Sequence, residues 1–419
     1  MLDQKDKRYT TSNMKPEHFV GLDIGTSTVR CIVGMIDPND GNTPSIIGYG
    51  SSPNQGMRRG TVVHPEEVAE SIVKAITEAE RVAGVSIRQA TVNVNGAHVS
   101  GIDSQGVIAI STANREITAD DRARVEDAAT IVNLPQNREI VQFFAKNYSL
   151  DGQKNIKDPV GMHGVRLEVE AHIVTAATPN LRNLDVALEK SEIVANHHTV
   201  SSLAAAEAVL SRSQKEAGTL LLDIGAGTTN LIVFEDGEVQ YIAVIPIGGQ
   251  HITNDLAIGL KTDLETAETV KLEHADLRPD NKKSEVSMKI NGNTEHFRGD
   301  EISMIIEARV EELLDFVDKE LQKIKKSRKL PGGVVITGGT AKLPGIAGFT
   351  KEKLQLSSKV AKVEKIGGLV DTVEDQSYTV VIGLMLLDML LLPALPPGRP
   401  TATESAKGLI NSFFKKSKD

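Results

Sequence analysis

The sequence predicts a mixed α/β chain built as two similar halves, each opening on a strand, a tight turn and a second strand. Two observations carry this. The segment Leu22-Asp23-Ile24-Gly25-Thr26-Ser27-Thr28, running on to Ile32-Val33, returns at an offset of 200 as Leu222-Asp223-Ile224-Gly225-Ala226-Gly227-Thr228, running on to Ile232-Val233. Between and after these copies, apolar runs of strand length alternate with stretches of helical spacing. A length of 419 residues leaves room for two or three domains, at about 150 residues each.

Composition narrows the class. Forty per cent apolar and 25% charged residues suffice for a sizeable core. Forty-seven Lys and Arg against 56 Asp and Glu leave a net charge of −9, so no nucleic-acid partner is expected. The single cysteine, Cys31, cannot form an internal disulfide and points to a reducing compartment. It sits in an apolar strand and is expected to be a small buried hydrophobe. Met1 to His18 is polar and lacks the apolar run of a secretory leader.

The elements follow in order. Each copy of the repeat reads as a β-hairpin with a tip of small residues. Val62 to Ala83 has helical spacing, and Ala90 to Val99 reads as a strand. Ile102 to Thr178 looks like an insertion: a strand, a helix opening at Thr118 with Asp120 and Asp121 in its first turn, and two more strands. Alternation from Val165 to Val174 marks the last of these as half-buried and antiparallel. Beyond the second hairpin, Ile252 to His274 is helical, Pro279 to Asn293 is a polar loop with lysines, and Glu301 to Lys326 is a helix. Gly332 to Gly339 is a strand ending in a double glycine. Val380 to Leu392 carries Asp388 and stops at Pro393. It falls well short of the roughly 20 residues of a membrane span and reads as a core helix. Prolines 393, 396, 397 and 400 then mark an extended linker.

The hairpins carry the chemistry. A phosphate chain with Mg2+ needs close backbone N–H donors, hydroxyls and a carboxylate near the metal. Gly25, Gly225 and Gly227 permit the turns, Thr26, Ser27, Thr28, Thr228 and Thr229 supply hydroxyls, and Asp23 and Asp223 end the preceding strands. No G-x-x-x-x-G-K-[ST] motif occurs, and no G-x-G-x-x-G opens a helix. Either hairpin alone is any tight turn; two matched copies point to a phosphate clamp. Val334-Val335-Ile336-Thr337-Gly338-Gly339-Thr340 adds a glycine turn suited to a flat base and ribose. His197 and His198 are neighbours on a strand and point to opposite faces, so no metal site is expected there.

These residues resemble the actin-like ATPase superfamily, in which two phosphate hairpins and an adenosine glycine pair close around ATP between two domains. Asp158-Pro159-Val160-Gly161-Met162, Gly248-Gly249-Gln250-His251 and Ala267-Glu268-Thr269-Val270-Lys271 are similar to signatures of its FtsA cell-division family. The resemblance spans Phe19 to about Leu392. It implies an actin-like fold, two halves around a nucleotide cleft with a subdomain inserted in the first half. The first core domain would comprise residues 15–101 and 179–205, with 102–178 inserted. The second would comprise 206–253 and 331–392, with 254–330 as a small partner-binding subdomain. A linker 393–406 and an amphipathic membrane-targeting helix 407–419 would follow.

The resemblance also implies ATP and Mg2+, the metal facing Asp23 and Asp223 through water. Gly338 and Gly339 would pack on the adenosine, with Glu268 and Lys271 near ribose and base. The chain would polymerise head to tail on the inner face of the cell membrane at the division site. It would bind the C-terminal peptide of the tubulin-like ring protein FtsZ, with Arg309 as a charge partner, and recruit later division proteins. Many relatives place Glu or Gln before the second hairpin to orient water. Here Val200-Ser201-Ser202-Leu203-Ala204 supplies neither, so no catalytic base is assigned and hydrolysis should be slow at most. A PilM-like scaffold of type IV pilus machinery and a small-molecule kinase on the same fold are the alternatives. The final segment weighs against both. As a helix it would place Leu409, Ile410, Phe413 and Phe414 on one face beside Lys407, Lys415, Lys416 and Lys418, which suits an anionic membrane surface.

Overall fold

A computed structural model describes residues 18–36, 43–111, 114–279, 285–290, 293–363, 366–369 and 373–391. The linker and tail expected over 393–419, with Leu409, Ile410, Phe413, Phe414, Lys415 and Lys416, lie outside the described residues.

The first hairpin is β1 (His18–Ile24) and β2 (Thr28–Ile36), antiparallel with Asp23 opposite Arg30. Strand β3 (Pro44–Pro53) pairs with β2. A small hairpin follows, β4 (Met57–Arg58) and β5 (Thr61–Val62), and then helix α1 (Pro65–Ala83). Sequence spacing drew this helix from Val62. Pro65 fixes its start, because it lacks the N–H that a first helical residue does not use. Gly84 closes it in the left-handed conformation.

Strand β6 (Gln89–Val94) runs parallel to β1, and β7 (Ser100–Ala109) enters the insertion. Helix α2 (Ala119–Thr130) starts where Thr118 predicted. The Thr118 hydroxyl accepts the Asp121 N–H at 3.2 Å, and Asp121 Oδ2 accepts the Thr118 N–H at 3.0 Å. Strands β8 (Arg138–Leu150), β9 (Gln153–Ile156) and β10 (Arg166–Ala177) complete the insertion. The chain returns through α3 (Thr178–Lys190), β11 (Val194–Val200), α4 (Ser201–Val209) and α5 (Arg212–Ala217).

The second hairpin is β12 (Thr219–Ile224) and β13 (Thr229–Glu235), with Asp223 opposite Asn230, and β14 (Glu238–Ile245) follows. The expected helix Ile252 to His274 is two: α6 (Gly249–Leu260) and α7 (Leu264–His274). Lys261 breaks it at φ 56°, and the Asp263 side chain caps the restart. The polar stretch read as a loop carries part of a hairpin, β15 (Glu285–Ile290) with β16 (Asn293–Arg298). There Val286, Met288 and Phe297 are buried while Glu285, Ser287, His296 and Arg298 are exposed. That two-residue alternation outweighed the lysines. Helix α8 (Gly299–Lys323), β17 (Gly333–Thr337), α9 (Ile346–Leu354), β18 (Ser358–Val360), β19 (Gly367–Gly368) and α10 (Thr379–Leu391) complete the order.

Two sheets organise these elements. One has the order β11-β6-β1-β2-β3-β19, the other β18-β17-β12-β13-β14-β7-β10-β8-β9. The insertion therefore shares the sheet of the second half, joined at Ala243 opposite Ser100. Buried His172 secures the joint: its Nδ1 lies 2.7 Å from Asp103 Oδ1, and its Nε2 accepts the Ile242 N–H at 3.1 Å. Helix α10 is apolar nearly all round, as a core helix must be. Its buried Asp388 accepts from the Val20 N–H (2.9 Å), the Thr91 hydroxyl (2.7 Å) and Asn196 Nδ2 (3.0 Å). No described helix is long and apolar enough to cross a membrane. The expected domain bounds at 205/206 and 253/254 fall within α4 and α6.

Candidate functional site

The two hairpin tips face one cleft of about 980 Å³. On the first side Asp23 ends β1, and its Oδ1 accepts from Asn93 Nδ2 at 2.7 Å. The same amide nitrogen reaches Ser201 Oγ at 3.2 Å, and Asn93 Oδ1 takes the Ile24 N–H at 2.7 Å. Asn54 holds the turn from outside, donating to the Gly25 carbonyl at 2.8 Å. Thr26, Ser27 and Thr28 all line the cleft.

On the second side Asp223 Oδ2 accepts from Asn230 Nδ2 at 2.9 Å. The N-terminus of α6 closes on the turn: the Gly249 N–H donates to the Gly225 carbonyl at 2.9 Å, and the Gln250 N–H to the Ala226 carbonyl at 2.8 Å. Gly225 and Thr228 line the cleft, with Thr228 Oγ1 accepting from Asn95 Nδ2 at 3.1 Å. Two expected residues stand elsewhere. The Thr229 hydroxyl is fully buried and donates to the Ile247 carbonyl at 2.8 Å, because a β13 side chain one residue past Thr228 points to the opposite sheet face. Gly227 is absent from the cleft wall; a Cβ there would meet Thr26 Oγ1 at 2.9 Å, so it packs on the other hairpin.

The glycine pair lines the same cleft. Gly338 follows β17 at φ 87°, where a Cβ would lie 2.5 Å from Asp223 Oδ1, and Gly339 is beside it. Glu268 and Lys271, one turn apart on α7, form an ion pair at 2.6 Å in the same wall. Lys271 Nζ also donates to Thr253 Oγ1 at 2.8 Å and to the Gly249 carbonyl at 3.3 Å.

Burial governs the electrostatics. Asp23 and Asp223 are 8% and 5% exposed. Desolvation pushes the Asp23 carboxyl up to about 7, opposed by the Arg30 guanidinium and reinforced by Asp223. It pushes Asp223 up to about 6, opposed by the Asn230 hydrogen bond and by Arg30. Two buried carboxylates facing one polar cleft suit a divalent cation, which would favour their charged forms. Among the described residues no three His, Cys, Asp or Glu cluster as a metal cage. Such a cation would therefore complete its shell with water and ligand oxygens, as Mg2+ commonly does.

Several residues at the site had no signal in the sequence. Asn93, Asn95, Asn230, Arg30 and the β4–β5 turn arrive from strand ends whose polarity reads as ordinary loop chemistry. The one available clue for Asn230 and Arg30 was their matched place in the repeat, seven residues after each Asp. Arg309, on α8, does not line the cleft. Its guanidinium pairs with Asp255 of α6 (Nη2 to Oδ1, 2.9 Å) and with Glu312.

Comparison with known proteins agrees with this architecture. A family model for cell division protein FtsA matches residues 220–383, and one for the SHS2 domain inserted in FtsA matches 96–175. Cell division protein FtsA of Bacillus subtilis is 40% identical over 373 residues, covering 88% of this chain and 83% of its own. That of Pseudomonas aeruginosa is 33% identical over 371 residues, covering 88% of each. Among solved structures, a PilM–PilN type IV pilus biogenesis complex aligns at TM-score 0.63 and 18% identity, covering 88% of this chain and 98% of the other. MreB5 of Spiroplasma citri bound to ADP aligns at 0.52 and 15%, covering 89% and 96%. The MamK double helical filament aligns at 0.52 and 12%, covering 90% and 99%. The fold is therefore actin-like, and the chain belongs to the FtsA family of bacterial cell-division proteins.

Proposed function

We propose that this chain binds ATP with Mg2+ in the cleft and works in division as an assembly protein. It would form head-to-tail filaments, tether the FtsZ ring to the membrane and recruit later division proteins. The observation that carries the nucleotide reading is the pair of hairpins presenting buried Asp23 and Asp223 to one cleft. The ADP-bound fold relative supports it, and the filament relative supports assembly through heterologous contacts that do not close. Asp23 and Asp223 would hold the hydrated cation, and Thr26, Ser27, Thr28 and Thr228 would donate to phosphate. Gly338 and Gly339 would take the adenosine beside Glu268 and Lys271. Ser201, at the start of α4 just before the second hairpin, accepts from Asn93 and hydrogen-bonds no carboxylate among the described residues. Turnover should stay well below the roughly 1–100 s⁻¹ of kinases. Calorimetry of the full chain tests the core of this: micromolar or tighter Mg-dependent ATP binding is expected, and its absence refutes the reading.

The tail and α8 carry the rest. Full burial of Leu409, Ile410, Phe413 and Phe414 is worth about 6–12 kcal/mol as an upper bound. Most of that is offset by ordering the segment. Anionic lipid returns about 1 kcal/mol per lysine. One tail then binds weakly, and neighbouring tails on a filament hold firmly through avidity. Deleting 407–419, or Phe413→Glu, should abolish co-sedimentation with anionic vesicles while sparing ATP affinity. Arg309→Glu should weaken binding of the FtsZ C-terminal peptide; unchanged affinity would remove Arg309 from that contact.

A further inference from the structure

The cations of the cleft differ in what already holds them. Lys271 is paired with Glu268, Lys342 Nζ lies 2.7 Å from Asp375, and Arg30 lies over the Tyr378 ring, 5.2 Å from its centroid. Arg58 and Arg59 are different. Both line the cleft, both are exposed, and no carboxylate among the described residues pairs with either.

They belong to the β4–β5 hairpin, which straps across both phosphate turns. The Gly60 N–H donates to Thr26 Oγ1 at 3.0 Å, fastening the strap to the first turn. A Cβ on Gly227 would come within 3.1 Å of Arg59 Cα, so the second turn abuts it as well. This explains why the second turn carries glycine at 227 although that residue does not face the cleft. Arg59 itself stands at φ 49°, in the left-handed region that favours glycine, and Gly60 follows at φ 74°. A large cationic side chain is thus kept where the backbone would prefer none. The strap touches the tips of both turns, at the end of the cleft where the phosphate chain would lie. Glu268, Lys271 and Gly339 stand on other elements of the wall.

We propose that Arg58 and Arg59 form a third phosphate-binding element that engages the terminal phosphate of a nucleoside triphosphate and so distinguishes it from the diphosphate. The proposal rests on the nucleotide reading above. Arginine suits the task, since its planar fork donates two parallel hydrogen bonds to phosphate oxygens and never loses its charge. Because the strap comes from the first half and abuts the second, a terminal phosphate gripped there adds a contact between the halves that a diphosphate lacks.

The test is calorimetric titration of the full-length protein with Mg-ATP and, separately, Mg-ADP. Variants are Arg58→Gln with Arg59→Gln together, and Arg59→Gly alone. The double variant should lose roughly ten- to hundredfold in ATP affinity, the range of charge-assisted hydrogen bonds. Its ADP affinity should change less than about twofold, within ordinary measurement scatter. Arg59→Gly should melt at or above the wild-type temperature, because it relaxes the left-handed residue, yet still lose preference for ATP. Equal losses for ATP and ADP, or none for either, overturn the proposal. Wild-type protein that binds neither nucleotide overturns the nucleotide reading itself, a result separate from a wild type that binds both and variants that keep its ratio.

Discussion

The two matched hairpins share a sequence pattern and differ in almost everything around it. The second is fixed by its own half: α6 donates two backbone N–H groups to its turn, Thr340 adds a hydroxyl to the Gly225 carbonyl at 3.1 Å, and Thr228, Thr229 and Asn230 are all buried. The first is braced within its own half by Asn54 and by the strap, yet Ser27 at its tip is exposed. Their Asp residues have different partners across the strand pair. Asp223 faces Asn230, which hydrogen-bonds it; Asp23 faces Arg30, which stacks on Tyr378, while Asn93 supplies the amide. A repeat therefore conserves the turn and the carboxylate while leaving charge balance and rigidity to whatever packs nearby.

The largest effect expected from this comparison is loss of the metal. Asp223→Ala and Asp23→Ala should each lower Mg-dependent ATP affinity about a hundredfold, the scale of a lost charged ligand. Affinity without Mg2+ should change little. Equal losses with and without Mg2+, seen by calorimetry, would deny either carboxylate its role.

Next comes rigidity. A Cβ at Gly248 would meet the Gly225 and Ala226 carbonyls at 2.5 and 2.7 Å. Gly248→Ala should therefore destabilise the fold by about 1–3 kcal/mol. In Gly339→Ala the nearest heavy atom is 3.9 Å away, so the melting temperature should hold. If both variants melt alike, the second hairpin is not as firmly set as the contrast requires.

The pH dependence is smaller and has a defined sign. Unfolded aspartate titrates near 3.8, whereas burial raises Asp23 to about 7 and Asp223 to about 6. Without metal these groups stabilise the fold below pH 3.8, and that stability is lost as pH rises toward 7. The proposed Mg-ATP binding would need the charged forms, so the affinity should fall as pH drops from 8 to 5. Asp23→Asn should flatten both trends and raise the melting temperature of the nucleotide-free protein at pH 8.

The smallest effect comes from making the hairpins alike. Arg30→Asn removes the cation that opposes the rise at both carboxyls. The pH profile of Mg-ATP binding should move upward, with a few-fold loss of affinity at pH 7. An unmoved profile would show that Arg30 acts on neither aspartate.

Local rules were enough for part of this molecule. Two strands and a small-residue turn fold as a hairpin wherever they stand, so the repeat was visible from residues alone. The Thr118 cap and the apolar helix ending before Pro393 depend likewise on neighbours in sequence. Where several local signals competed, reading by spacing failed. Lys261 splits one helical pattern in two, and lysines disguised the alternation that forms β15.

What the sequence determined by itself was the two turns, their aspartates and the glycine pair, because a turn of given shape needs those residues within a few positions of one another. The tertiary structure decided which hydroxyls face the cleft, since one residue along a strand turns Thr229 into the core while Thr228 reaches Asn95. It alone brought Asn93 to Asp23, laid the Arg58–Arg59 strap over both tips, and joined the insertion to the second sheet through Ala243 and Ser100. These partners lie tens to well over a hundred residues apart, and at that separation only packing of the whole core selects which strand ends meet.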